Sequence, residues 1–264
     1  MTTRVMSTRV MFVSPAMGPA LREARFPVAD GEEPYGHEKA GRGRAADALD
    51  ANALDGVGLR QAEAVAASLR DRAGDGSPLR STARYVSPTP RCRRTADVLG
   101  LAAEPLPGLA PCAMGRWRGR TLDEVAAAEP DAVAGWLTDP AAAPHGGESL
   151  DHFLARVGRR LDTLNTAAAA AAAATATAAA TDTAENADID TDTDTQADGT
   201  GTGTGRILVV AEPDVIRAAT VHALGAPPAA FWRIDVRPLT LTELGGRAGR
   251  WNLIGGRPLH HDRP

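Results

Sequence analysis

With 264 residues the chain can form one large α/β domain or two small ones. Its 43% hydrophobic and 23% charged residues are ordinary for a globular protein and exclude fibrous and collagen-like classes. The formal net charge of -4 is uneven: seven of the 33 acids fall between Thr166 and Gly205, where no Lys or Arg occurs, leaving 26 elsewhere against 29 basic residues. No basic stripe accompanies that balance, so nucleic acid is not an expected partner.

The opening MTTRVMSTRVMFV has an apolar run of only about four residues from Val10, too short for a signal peptide or a membrane span. A cytoplasmic protein without membrane association is expected, and the doubled MTTRV and MSTRV make Met6 a second candidate start. Arg9 to Val13 is β-branched and apolar and stops at Ser14-Pro15, because proline cannot donate to a ladder; it reads as a buried first strand. Phe26 to Gly58 is rich in Gly, Pro and charge and reads as a long surface loop. Val57 to Arg72 places Leu59, Ala62, Val65, Ala66 and Leu69 at helical spacing, with Gly74 as the stop.

Arg84 to Val86 is a short strand running into Ser87-Pro88, and Arg91 to Leu99 opens a second helix, the strand-turn-helix alternation of a parallel α/β sheet. Helices are also expected at Leu122 to Ala128, Ala132 to Leu137 and Leu150 to Leu164, the last with Phe153, Val157, Leu161 and Leu164 on one face. From Thr166 to Gly205 an alanine run passes into Thr/Asp and Gly/Thr repeats. The alanines favour a few more helical turns, and the remainder lacks the apolar surface to offset its ordering entropy. Arg206 to Ala211 is a continuous apolar run suited to a central strand, Pro213 to Leu224 a helix with proline in its first turn, and Ile234 to Val236, Leu239 to Leu244 and Arg250 to Ile254 closing strands.

The blocks VMFVSPAMG at 10–18, LDGVGLRQAEAVA at 54–66, SPTPRCRRTADVL at 87–99, GRWRGRTLDEVA at 115–126, HGGESLDHFLARV at 145–157 and ILVVAEPDVIRA at 207–218 resemble, in that order, the histidine phosphatase (phosphoglycerate mutase-like) superfamily. The resemblance implies a phosphoglycerate mutase-like α/β fold: a single-domain, mostly parallel sheet with helices on both faces. Residues 1–8 are then an N-terminal tail and 9–264 the domain, with a loop insertion at about 27–55 and a low-complexity insertion at about 166–205. In that family an Arg-His-Gly after the first strand supplies the histidine that is phosphorylated. Two arginines and a second histidine hold the phosphoryl group, and a Glu or Asp donates the proton. An imidazole can attack phosphorus while cations stabilise the charge on the equatorial oxygens.

Here the first triplet reads Ser14-Pro15-Ala16, the second histidine's place reads Ala211-Glu212-Pro213, and the acid aligns with Pro111. Proline has no side-chain nucleophile, and a carboxylate at position 212 would repel a phosphoryl dianion by a few kcal/mol at an effective dielectric near 20. Of the family's core set Arg91 matches, and Arg25 corresponds to an arginine that some mutase-like members carry. The resemblance thus implies a member without the phosphohistidine chemistry, binding a small anionic ligand or a partner, with Arg91 and Arg25 as ligand-binding residues. Two alternatives stay open: an enzyme of altered mechanism using Arg91, Glu212 and Ser14, and a conventional phosphatase or mutase.

Arg91 could serve an anion or pair internally with Glu212, and His145 is an alternative base or a plain loop histidine. Glu148 and Ser149 suit the capping of the following helix. Trp117, Trp136, Trp232 and Trp251 read as core or pocket wall, with Arg233 and Asp235 near the cleft. Cys92 and Cys112 lack CxxC spacing, and the histidines lack metal-ligand spacing, so neither a metal nor a cofactor is implied. Oligomeric state is not legible.

Overall fold

The computed structural model describes residues 7–28, 53–71, 81, 83–185, 204–247 and 250–258. Its centre is set by two runs that are apolar at every position. In β1 (Ser7–Val13), Val10, Met11, Phe12 and Val13 are all fully buried, and in β4 (Thr204–Val210) Ile207 to Val210 are nearly so. Both faces of such strands must be covered. Val10, Phe12, Ile207 and Val209 face one cluster; Met11, Val13, Leu208 and Val210 face the other, as the period of two requires.

Six strands form one sheet in the order β3-β2-β4-β1-β5-β6, with β2 at Ala83–Val86, β3 at Glu104–Pro105, β5 at Thr240–Arg247 and β6 at Arg250–Pro258. The β3-β2-β4-β1 half is parallel, while β5 and β6 are antiparallel, with a bulge between Thr242 and Leu244. Helices α2 (Gly56–Asp71) and α3 (Pro90–Val98) cover one face through Ala62, Val65, Cys92 and Ala96. Helices α6 (Leu150–Glu185) and α7 (Pro213–Leu224) cover the other through Phe153, Val157, Leu161, Val215 and Ile216. The larger of these side chains, the Val, Leu, Ile and Phe, contribute about 1.5–3 kcal/mol each by leaving water. The helices α1 (Pro19–Arg22), α4 (Leu122–Ala128) and α5 (Pro130–Thr138) are short, and Val125 of α4 and Val133 of α5 join Met114 and Trp117 in a third cluster.

Three boundaries depart from the sequence reading. The first strand starts at Ser7 and not at Arg9, because Ser7 and Thr8 already pair with Thr204 and Gly205. The alanine-rich segment continues α6 to Glu185, further than a few turns, as the high helix propensity of alanine favours. Ile234 to Val236 is not a strand. Its apolar side chains pack on the core while the backbone runs from a 3-10 turn (Pro228–Arg233) to Leu239, whose φ of 53° turns the chain into β5. Most of the 27–55 loop and the 186–203 part of the low-complexity insertion lie outside the described residues. Among the described residues no helix is long and apolar enough to cross a membrane.

Candidate functional site

The parallel strands β1, β4 and β2 end side by side, with Val13 opposite Val210 and Val86 also opposite Val210, so the chain segments that follow converge at one edge. That edge is where open α/β sheets bind ligands. A cavity of about 700 Å³ opens there. Its floor is built by the turn before α3 (Thr89, Pro90, Arg91) and the turn before α7 (Glu212, Pro213, Asp214). Its walls include the aromatic rings of Phe26, Trp136, Phe153, Phe231 and Trp232. No histidine is among the described residues that line it.

Thr89 is the N-cap of α3: its Oγ1 accepts the Cys92 N–H at 3.2 Å and donates to Glu212 Oε1 at 2.8 Å. Arg91, two positions further, meets the same carboxylate with Nη2 on Oε2 and Nε on Oε1 at 3.3 Å, while the Cys92 thiol lies 3.5 Å from Oε1. Glu212 is 6% exposed. Burial pushes its carboxyl up, but the Arg91 charge and the bonds from Arg91, Thr89 and Cys92 outweigh that and hold it below the ordinary range. The fork of Arg91 is therefore spent on Glu212, and only its buried Nη1 lacks a partner. Glu212 occupies the mouth of a helix N-terminus, the position an anionic ligand would take.

Asp214, in the first turn of α7, accepts the Cys112 N–H at 2.9 Å and the Val215 N–H at 2.8 Å. Burial, reinforced by the negative charge of Glu212, raises it from 3.8 to about 6. Arg25 also lines the cavity, fixed by Glu23 at 2.6 Å, by the Gly119 carbonyl at 2.9 Å and by Glu124 at 3.9 Å. Both thiols are free, and burial pushes each upward, which keeps them protonated. Among the described residues no group of three or more His, Cys, Asp or Glu could hold a metal.

The other named residues are placed elsewhere. The Ser14 hydroxyl is fully buried, donates to the Arg237 carbonyl at 2.5 Å, accepts the Thr240 N–H at 2.9 Å and is not part of the cavity lining. His145 is 1% exposed and lies against Trp117 at a tilt of 58° with centroids 5.0 Å apart; its Nδ1 accepts the Gly147 N–H at 3.0 Å. Burial and then the Arg116 charge lower its pKa, so the ring is a neutral packing element. Ser149 accepts the His152 N–H at 3.3 Å as an N-cap does. Glu148 instead grips Arg156 at 2.9 and 2.7 Å, and Arg156 donates to the carbonyls of Gly108, Ala110 and Pro111. Trp117 is core, Trp251 donates to Asp162 at 3.1 Å, Asp235 lines the cavity and Arg233 is exposed outside it.

Sequence reasoning passed over Asp214 and Arg217, both of which line the cavity. The available signal was their spacing: residues i and i+3 near the start of a helix that follows a central strand share one face at the strand-end edge.

A family model described as the histidine phosphatase superfamily (branch 1) matches residues 36–186 and 194–255. The bifunctional protein Rv2228c of Mycobacterium tuberculosis (strain ATCC 25618 / H37Rv) is 32% identical over 111 residues, 42% of this chain but only 30% of the relative's length. Among solved structures, mycobacterial hydrolase 1 superposes with a TM-score of 0.60 at 21% identity, covering 94% of this chain and 96% of its own. The mycobacterial glucosyl-3-phosphoglycerate phosphatase Rv2419c complexed with VO3 gives 0.59 at 20% identity, covering 93% and 96%. The alpha-ribazole phosphatase from Shigella flexneri gives 0.59 at 16% identity, covering 93% and 94%. At such identities the structural likeness speaks for the fold, and with the match of the family model over most of the sequence, the chain belongs to the histidine phosphatase superfamily.

Proposed function

We propose that this chain is a non-catalytic member of the superfamily, lacking both catalytic histidines, which binds a small anionic ligand in the cavity at the strand ends. One observation carries the reading: the Glu212 carboxylate is buried against Arg91, Thr89 and the start of α3, where a phosphoryl group would otherwise be held. A phosphoryl oxygen brought within about 4 Å of it would meet a repulsion of about 4 kcal/mol per unit charge at an effective dielectric of 20. Pro15 offers no nucleophile at the end of β1, and His145 is packed against Trp117 away from the lining. Arg25, at the cavity wall, adds a cation that a ligand anion meets, and Arg91 lines the floor beside it with part of its charge taken up by Glu212. The two free thiols suit a reducing cytoplasm. An enzyme of altered mechanism built on Ser14 would first have to break its bonds to Arg237 and Thr240.

The test is turnover of generic phosphomonoesters by the purified chain beside Arg91→Ala, with an assay for acid-labile phosphate on the protein. No turnover above the variant and no phosphoprotein is expected. Turnover that Arg91→Ala abolishes, or an N-phosphorylated intermediate, overturns the reading.

A further inference from the structure

Three arginines line the cavity, and they are not equivalent. Arg91 is neutralised by Glu212, and Arg25 is held by Glu23 with Glu124 nearby. Arg217, one turn into α7, forms no ion pair with any described carboxylate; its Nε is buried without a partner, and its guanidinium lies 5.8 Å from the centroid of the Phe231 ring. The residue is only half-buried, and its terminal nitrogens carry no hydrogen bond among the described residues, so they stay open to an anion in the cavity.

The ring beneath Arg217 begins a continuous aromatic wall. Phe231 meets Trp232 at 4.9 Å, Trp232 meets Trp136 at 4.7 Å and Trp136 meets Phe26 at 5.7 Å, each close to edge-to-face. Such a wall favours a flat π-system, and the neighbouring carboxylates Glu212, Asp214 and Asp235 oppose any ligand bearing more than one negative charge.

We propose that Arg217 is the anion-recognising residue of this cavity and that the ligand is a planar, singly charged organic acid, an aromatic or heteroaromatic carboxylate, whose ring lies against Trp136 and Trp232 while its carboxylate takes the free guanidinium donors. This rests on the non-catalytic reading and narrows its ligand to one chemical class. A bidentate arginine contact fixes the carboxylate, and the wall selects the ring.

The probe is indole-3-acetate, titrated against the whole chain by calorimetry beside indole-3-ethanol, butyrate and phenyl phosphate. Indole-3-acetate should bind best, and Arg217→Gln should weaken it about tenfold or more while leaving indole-3-ethanol within about twofold. Arg217→Lys, which keeps the charge but not the fork, should fall between, and Trp232→Leu should weaken indole-3-acetate and indole-3-ethanol alike. Equal affinity for indole-3-acetate in Arg217→Gln with unchanged melting, no binding of indole-3-acetate at millimolar concentration, or tighter binding of phenyl phosphate each overturns the inference. Hydrolysis of phenyl phosphate is the separate result that would instead overturn the non-catalytic reading.

Discussion

Arg91 and Glu212, 121 residues apart in the chain, close a buried ion pair at the point where β2 and β4 hand over to their helices. The side chains are only 13% and 8% exposed, so each charge depends on the other. Removing one partner strands the other, which typically costs about 3–5 kcal/mol, whereas replacing both with apolar residues is often nearly neutral. Glu212→Gln is therefore expected to lower urea stability by about 3 kcal/mol, and Arg91→Met with Glu212→Leu by clearly less. The same Glu212→Gln protein should gain thermal stability in phosphate, because Arg91 then has an unpaired fork. A double variant as unstable as Arg91→Met and Glu212→Leu summed separately would show that the two residues do not act as a pair.

Asp214 sets a pH dependence of the opposite sign to that of Glu212. Its carboxyl is raised to about 6 in the fold from an ordinary 3.8, so the native state holds the proton more tightly than the unfolded chain. The stabilisation is complete below about 3.8 and is lost as pH rises through 6. Glu212, held below its ordinary 4.5, contributes above that value and loses its contribution as pH falls. Between pH 5 and pH 7, Asp214→Asn should flatten the decline that Asp214 contributes to the urea midpoint, against which the lowered His145 pKa acts in the opposite sense. That variant also carries a pH-independent loss, because Asn keeps only one acceptor for the Cys112 and Val215 N–H groups. An unflattened profile would remove Asp214 as the cause.

The turn before α6 tolerates no side chain at Gly147. A Cβ there would stand 1.9 Å from the Ala113 carbonyl oxygen and 2.7 Å from the Gly115 nitrogen, both backbone atoms that cannot step aside. Gly147→Ala is expected to cost at least about 2 kcal/mol in thermal unfolding. Gly135, within α5, has nothing within 4 Å of its missing Cβ, so Gly135→Ala should stabilise by about 0.5–1 kcal/mol.

Ser14 is predicted to matter for stability and not for ligand. Its hydroxyl ties the end of β1 to the start of β5 through Arg237 and Thr240. Ser14→Ala leaves the Thr240 N–H without that partner and should cost about 1–3 kcal/mol in urea unfolding, with indole-3-acetate affinity unchanged. A loss of affinity without loss of stability would return Ser14 to the site.

Much of the fold was legible because local patterns decide it. The uninterrupted VMFV and ILVV runs declare doubly covered strands, the spacing of Phe153, Val157, Leu161 and Leu164 a one-faced helix, and Pro213 a helix start. Ile234 to Val236 misled because alternation records burial, and burial against a core is not the same as pairing with a strand. Glu148 was legible as structural, but its partner lay eight residues along in Arg156 and served the 108–111 segment, a contact no capping pattern encodes.

What the sequence determined by itself is the order of elements, the superfamily blocks, and the residue types at the strand ends: Ser14-Pro15-Ala16 and Ala211-Glu212-Pro213. The tertiary structure alone decided which charges cancel. Among the described residues Arg91 is paired and Arg217 is not, Ser14 turns to β5 and Asp214 to the cavity, because electrostatic and hydrogen-bond partners are chosen by proximity in space between segments that lie over a hundred residues apart, and no local periodicity carries that information.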